Sequence, residues 1–139
     1  MKIYVLDASA VVRYLTNGAG AAKVDALIDR GGSGEARLSI SVVNWGEALY
    51  SLANMRGLNQ AKAALMALNA LVEPVLVDEA LAEAAAAVRF HYKLGYADCF
   101  AAALALRLNA TLVTTDPDFA KLGKRLKVMA LQRGSTPLR

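Results

Sequence analysis

The sequence predicts an α/β fold: a central, mainly parallel sheet of about five strands with helices on both faces, a three-layer α/β/α sandwich. Short apolar runs such as KIYVL, PVLV and ATLVT alternate with longer helix-compatible segments. Strands that are apolar throughout belong to sheets covered on both faces, and such sheets are parallel. Right-handed crossovers then divide the connecting helices between two layers.

The elements follow in order. Residues 2–6 are a strand, followed by Asp7 and a helix to about Thr16. A second helix covers 20–30 and ends at the Gly31-Gly32-Ser33-Gly34 breaker. Residues 36–40 form the second strand, and Ser41 caps a helix over 42–56 that stops near Gly57. A helix over 59–71 leads to a third strand at 74–77, and Asp78 caps an alanine-rich helix to about 93. Gly95 precedes an apolar helix over 97–108, and 110–114 is the fourth strand. Asp116-Pro117 opens a short helix, and a last strand falls near 127–131. In parallel α/β sheets a site lies beyond the carboxyl ends of the strands, where Asp7 and Asp116 fall.

A chain of 139 residues, 56% of them apolar, fits a single folded domain over its whole length, 1–139. No apolar stretch is long enough to span a membrane. Asp7 and Arg13 interrupt the N-terminal apolar run, so it does not read as a secretory signal, and a cytoplasmic location is expected. The single cysteine, Cys99, excludes an internal disulfide and a thiolate zinc cluster. The net charge is +4, and no acid follows Asp118, whereas Lys121, Lys124, Arg125, Lys127, Arg133 and Arg139 do. This asymmetry suits a polyanionic partner and equally a solvated basic tail. Arg13, Lys121, Lys124 and Arg125 are candidate phosphate contacts.

Four carboxylates carry the functional reading. Asp7 is open between capping the first helix and serving a site. Asp116 before Pro117 reads by itself as a helix cap. Glu47 shares a stripe with Asn44, Ser51 and Asn54, by itself a solvated face. Asp98 opens a helix apolar nearly all round, where it gains from the helix dipole yet sits close to the interior. Together, four acids at one sheet edge would repel one another and raise their pKa values unless a cation lies between them. Oxygen donors suit magnesium or manganese, whose bound water would attack a phosphodiester. Ser9, Asn44 and Thr114 are placed to orient carboxylates or water by hydrogen bonds, with local turn and cap bonding the simpler reading for Ser9. Asp118 is a reserve ligand, while His91 reads as a surface residue and Cys99 as a small buried one.

At IYVLDASAVVRYL, SVVNWGEALY and LGYADCFAAALALRLNATLVTTDPDF the chain resembles the PIN-domain family, in particular the VapC-type toxins of bacterial toxin–antitoxin pairs. The resemblance runs over almost the whole chain, and it lies in the order and spacing of motifs that are individually common. It implies a magnesium- or manganese-dependent endoribonuclease, a cognate antitoxin that blocks the site, and a homodimer. Asp7, Glu47, Asp98 and Asp116 match the family's acidic quartet, Asn44 its polar neighbour and Thr114 its turn residue. Cys99, after the third acid, is a minor departure. The alternatives are a catalytically silent PIN-like module that binds nucleic acid or a partner, and a receiver-like domain with Asp78 as phospho-acceptor. A haloacid-dehalogenase-like phosphotransferase needs a second acid where Ser9 stands. The apolar helices between 42 and 71 offer either a groove for a partner helix or ordinary core packing.

Overall fold

A computed structural model describes residues 1–132 of the chain. Arg133 and Arg139 of the basic stretch lie outside the described residues. The elements are β1 (Lys2–Leu6), α1 (Ala8–Leu15), α2 (Ala21–Gly32), β2 (Ala36–Ser41), α3 (Val42–Arg56), α4 (Leu58–Leu68), β3 (Val72–Val75), α5 (Glu79–Tyr92), α6 (Tyr96–Leu108), β4 (Thr111–Thr114), a 3-10 segment Pro117–Arg125 and β5 (Lys127–Ala130).

The five strands form one sheet in the order β3-β2-β1-β4-β5, and every pairing is parallel. The chain builds outward from β1 to β3, then returns to place β4 on the other side of β1. The reversal falls between β1 and β4, whose register pairs Leu6 with Val113. Crossovers leave the sheet in opposite directions there, opening a crevice beyond the carboxyl ends of the two strands.

Alternation along the central strands divides the core. Tyr4 and Leu6 of β1 and Val113 of β4 pack with Val11 of α1, Val24 and Ile28 of α2, Ala48 of α3 and Leu65 of α4. Val5 and Leu112, one residue out of phase, pack on the other face with α5, α6 and Phe119. Successive strand side chains point to opposite faces, so the apolar runs feed both layers. In α6 every residue from Cys99 to Ala105 is buried, as an all-round apolar helix requires.

Three boundaries differ from those expected. The second helix continues through Gly31 and Gly32, because a Cβ on Gly31 would stand 2.9 Å from Leu38 Cδ1 on β2. The missing side chain there permits a close helix–sheet approach, and the actual turn falls at Gly34, with φ +83°. The strand expected at 74–77 spans Val72–Val75, with Pro74 inside it. As the sheet edge, β3 tolerates a residue that cannot donate a hydrogen bond. Accordingly α4 ends at Leu68, short of 71.

Candidate active site

Asp7 follows β1 directly and is 3% exposed. Its Oδ1 accepts from the Ala10 amide at 3.0 Å and from Ser9 Oγ at 2.6 Å, while its Oδ2 accepts from Thr114 Oγ1. Capping and site geometry therefore coexist in one carboxylate. Thr114 Oγ1 in turn accepts from the Asp116 amide at 3.0 Å, and Ser9 Oγ from the Thr115 amide at 3.0 Å. The ends of β1 and β4 are stitched together through two hydroxyls. Burial holds the Asp7 carboxyl above the ordinary carboxylate range, against the lowering effect of its hydrogen bonds from Ser9, Thr114 and Ala10.

Asp116 caps the 3-10 segment, its Oδ1 accepting from the Asp118 amide at 2.9 Å. Glu47 enters from the second turn of α3, where Asn44 Nδ2 donates to its Oε1 at 3.0 Å. The same Nδ2 donates at 3.0 Å to the carbonyl of Ala97 on α6, so fully buried Asn44 ties α3 to the turn that carries Asp98. Asn44 Oδ1 is buried without a hydrogen-bond partner. The expected solvated stripe is thus corrected. Asn44 is interior and Ser51 half-buried, whereas Glu47 and Asn54 are exposed, and Glu47 and Ser51 line a cavity.

Asp98 lies in the first turn of α6, half-buried, with Gly95 as a cap that offers no side chain. Burial, then the charges of Asp116, Glu47, Asp7 and Asp118, push its carboxyl up to about 6. All four acids line one open cavity of about 600 Å³, together with Ser9, Arg13, Tyr50 and Ser51. Among the described residues the ion pairs are Arg37–Glu73 and Arg107–Asp78, so none of the acids of the cavity is in an ion pair, and Arg13 is the one cation among the lining residues. Nor, among those residues, do three His, Cys, Asp or Glu side chains converge closely enough to hold a metal ion as they are placed. An open set of oxygen donors suits a hard cation that keeps part of its water shell.

The candidate phosphate contacts separate. Arg13 lines the cavity, with Nη1 donating to the carbonyls of Ala19 (2.9 Å) and Gln132 (3.1 Å). Lys121 and Lys124 are exposed on the 3-10 segment but do not line the cavity. Arg125 donates to Tyr92 Oη and borders a different cavity from the one the acids line. Asp118 is exposed and acts on Asp98 through its charge. Asp78 caps α5 through Leu81 and pairs with Arg107 at 2.7 Å, which gives it a structural role. His91 is exposed, and burial pushes the Cys99 thiol up, away from nucleophilic use. Tyr50, 72% exposed at the cavity rim, is a residue that sequence reasoning misses, although it stands three residues after Glu47 on the same helix.

Fold and site together define a parallel α/β domain with an acidic pocket at its topological switch point. The PIN domain profile matches residues 4–125, and the chain belongs to that family. VapBC2 from Rickettsia felis, solved with a DNA fragment from its promoter, is similar in structure with a TM-score of 0.72 and 18% identity, over 94% of this chain and 99% of that one. VapBC-1 from nontypeable Haemophilus influenzae gives 0.70 and 21%, over 92% and 97%. Mycobacterium tuberculosis VapC20, a Sarcin-Ricin loop cleaving toxin, gives 0.67 and 18%, over 86% and 95%. No curated protein matches the sequence.

Proposed function

We infer that the chain is a magnesium- or manganese-dependent endoribonuclease and the toxin of a toxin–antitoxin pair. The observation that carries this reading is the set of four carboxylates, none in an ion pair among the described residues, on one cavity at the switch point. Asp98, Asp116 and Glu47 would hold the cation, with Asp7 behind them. Three hydrogen bonds occupy most of the roughly four lone-pair directions of Asp7, leaving it one for a ligand. When bound, the cation lowers the pKa of a coordinated water and offsets charge on the phosphodiester. The chain's own residues do the positioning. Ser9 and Thr114 fix Asp7 and the β4 turn, and Asn44 fixes Glu47 relative to α6.

The partner follows from the same surface. Tyr50 and Met55 on α3 and Leu58 and Met66 on α4 are large apolar side chains left exposed, and Tyr50 reaches the cavity rim. An antitoxin segment seated there would cover the acids. A homodimer completes the reading, and sedimentation of the purified chain measures it. Action in the cytoplasm belongs to the same reading, because that is where a toxin of this kind meets its RNA. Among the described residues no helix is long and apolar enough to cross a membrane.

The test is cleavage of RNA by the purified, partner-free chain on addition of magnesium or manganese. Asp98→Ala and Asp116→Ala should remove cleavage while retaining the wild-type circular dichroism spectrum. Full activity in both variants would sink the assignment. Growth arrest on expression, relieved by the neighbouring small reading frame, tests the toxin reading.

A further inference from the structure

The acidic cavity repels the strand it is proposed to cut, and Arg13 is the one cation among its described lining residues, so cations outside it would help to hold the RNA. Two acid-free stretches of sequence, 84–97 and 119–132, meet where Arg125 donates to Tyr92 Oη. Besides Arg89 and Lys127 they carry His91, Lys93, Lys121, Lys124 and Arg125, and among the described residues none of these is in an ion pair. His91, Tyr92 and Arg125 line a cavity of about 400 Å³ that shares no residue with the acidic one.

Aromatic rings are interleaved with these charges. Phe90 is 70% exposed, its ring centroid 5.1 Å from that of His91, which lies 6.2 Å from that of Tyr92. Lys93 Nζ stands 5.2 Å from the Phe90 centroid. An exposed phenylalanine gains nothing from water, whereas a nucleobase can stack on its face, and cations beside it meet the flanking phosphates. The same corner leads through Lys93–Gly95 into the first turn of α6, which carries Asp98. Three residues thus link the corner to the turn that carries Asp98.

We propose that the α5–α6 corner, with Phe90, His91, Lys93 and Arg125, is a binding site for single-stranded RNA that seats the substrate flanking the scissile phosphate. Phe90 and His91 supply stacking faces, and Lys93 and Arg125 supply phosphate contacts. The role as a substrate site rests on the nuclease reading; binding itself does not.

The experiment measures fluorescence anisotropy of a labelled single-stranded RNA oligonucleotide with the Asp98→Asn chain, which separates binding from cleavage. Phe90→Ala in that background should weaken binding about tenfold, the loss expected for one stacked base. Arg125→Ala should lower the salt dependence of binding by about 0.7 in the log–log slope, one phosphate contact to a single strand. Because Phe90 is surface-exposed, its variant retains the fold, which the thermal transition checks. In the wild-type background Phe90→Ala should raise KM for RNA and leave kcat unchanged. Unchanged affinity and salt slope in both variants would overturn the site, even if the chain cleaves RNA. Weakened binding in a chain that never cleaves would keep the site and remove the nuclease. Equal capture of an acidic peptide, undiminished by Phe90→Ala, would also overturn it, since charge alone would then be recognised.

Discussion

Replacing Asp98 by asparagine should stabilise the metal-free chain at neutral pH, and the gain should vanish in acid. The Asp98 carboxyl ionises near 6 in the folded chain against an ordinary value of 3.8. Raised in this way, it binds its proton more tightly when folded, so its contribution favours folding below 3.8 and is lost as pH rises through 6. Fully transmitted, the difference corresponds to about 3 kcal/mol. Asp98 is only half-buried, and screening by water reduces this to about 1–2 kcal/mol. The assay is urea denaturation in chelator from pH 3.5 to 7.5, following the stability gap between Asp98→Asn and wild type. That gap should open between pH 4 and 6 and reach about 1–2 kcal/mol in favour of the variant. Saturating magnesium should close it by stabilising the wild type alone. A gap that is flat with pH, or that favours the wild type at pH 7.5 in chelator, would refute the electrostatic argument.

Substitutions at two further positions probe the hydroxyl and amide that hold the acids. Thr114→Val keeps the shape but leaves buried Asp7 Oδ2 and the Asp116 amide without their partner, so it should cost about 1–3 kcal/mol in urea denaturation. Thr114→Ser, retaining the hydroxyl, should recover most of it. Asn44→Ala breaks the link from α3 to the Ala97 carbonyl but also removes an unpartnered buried oxygen. Its cost should therefore fall near 1 kcal/mol, with a larger effect on cleavage than on stability.

Much of the site is legible in the sequence because local pattern marks where strands stop. A β-branched run ending in an acid marks a strand's carboxyl end, and Asp7 and Thr114 to Asp116 fall where such runs stop. What stays hidden depends on partners distant in sequence. Asn44 reads as solvated because a polar stripe cannot distinguish water from a cavity, and its carbonyl partner is 53 residues away. Gly31 reads as a breaker because its packing against Leu38 is a tertiary fact. Arg125 reads as one base in a basic stretch, and its partner Tyr92, 33 residues back on another helix, is invisible in that pattern.

The topology explains why four acids with separate local excuses form one site. Since β4 returns beside β1, whatever follows each strand must meet at the same edge, and Ser9 and Thr114 convert that proximity into fixed geometry. Asn44 does the same for the helices, binding Glu47 on its own helix and the backbone before Asp98 on another. The neutral polar residues satisfy the buried ends of the network, so the acids can direct their remaining lone pairs into the cavity. A lone Asp7 would be an ordinary cap. Surrounded by acids that hydroxyls and an amide hold in place, it becomes the fixed back wall of a pocket whose other carboxylates have few hydrogen bonds of their own, which is what the proposed cation site requires.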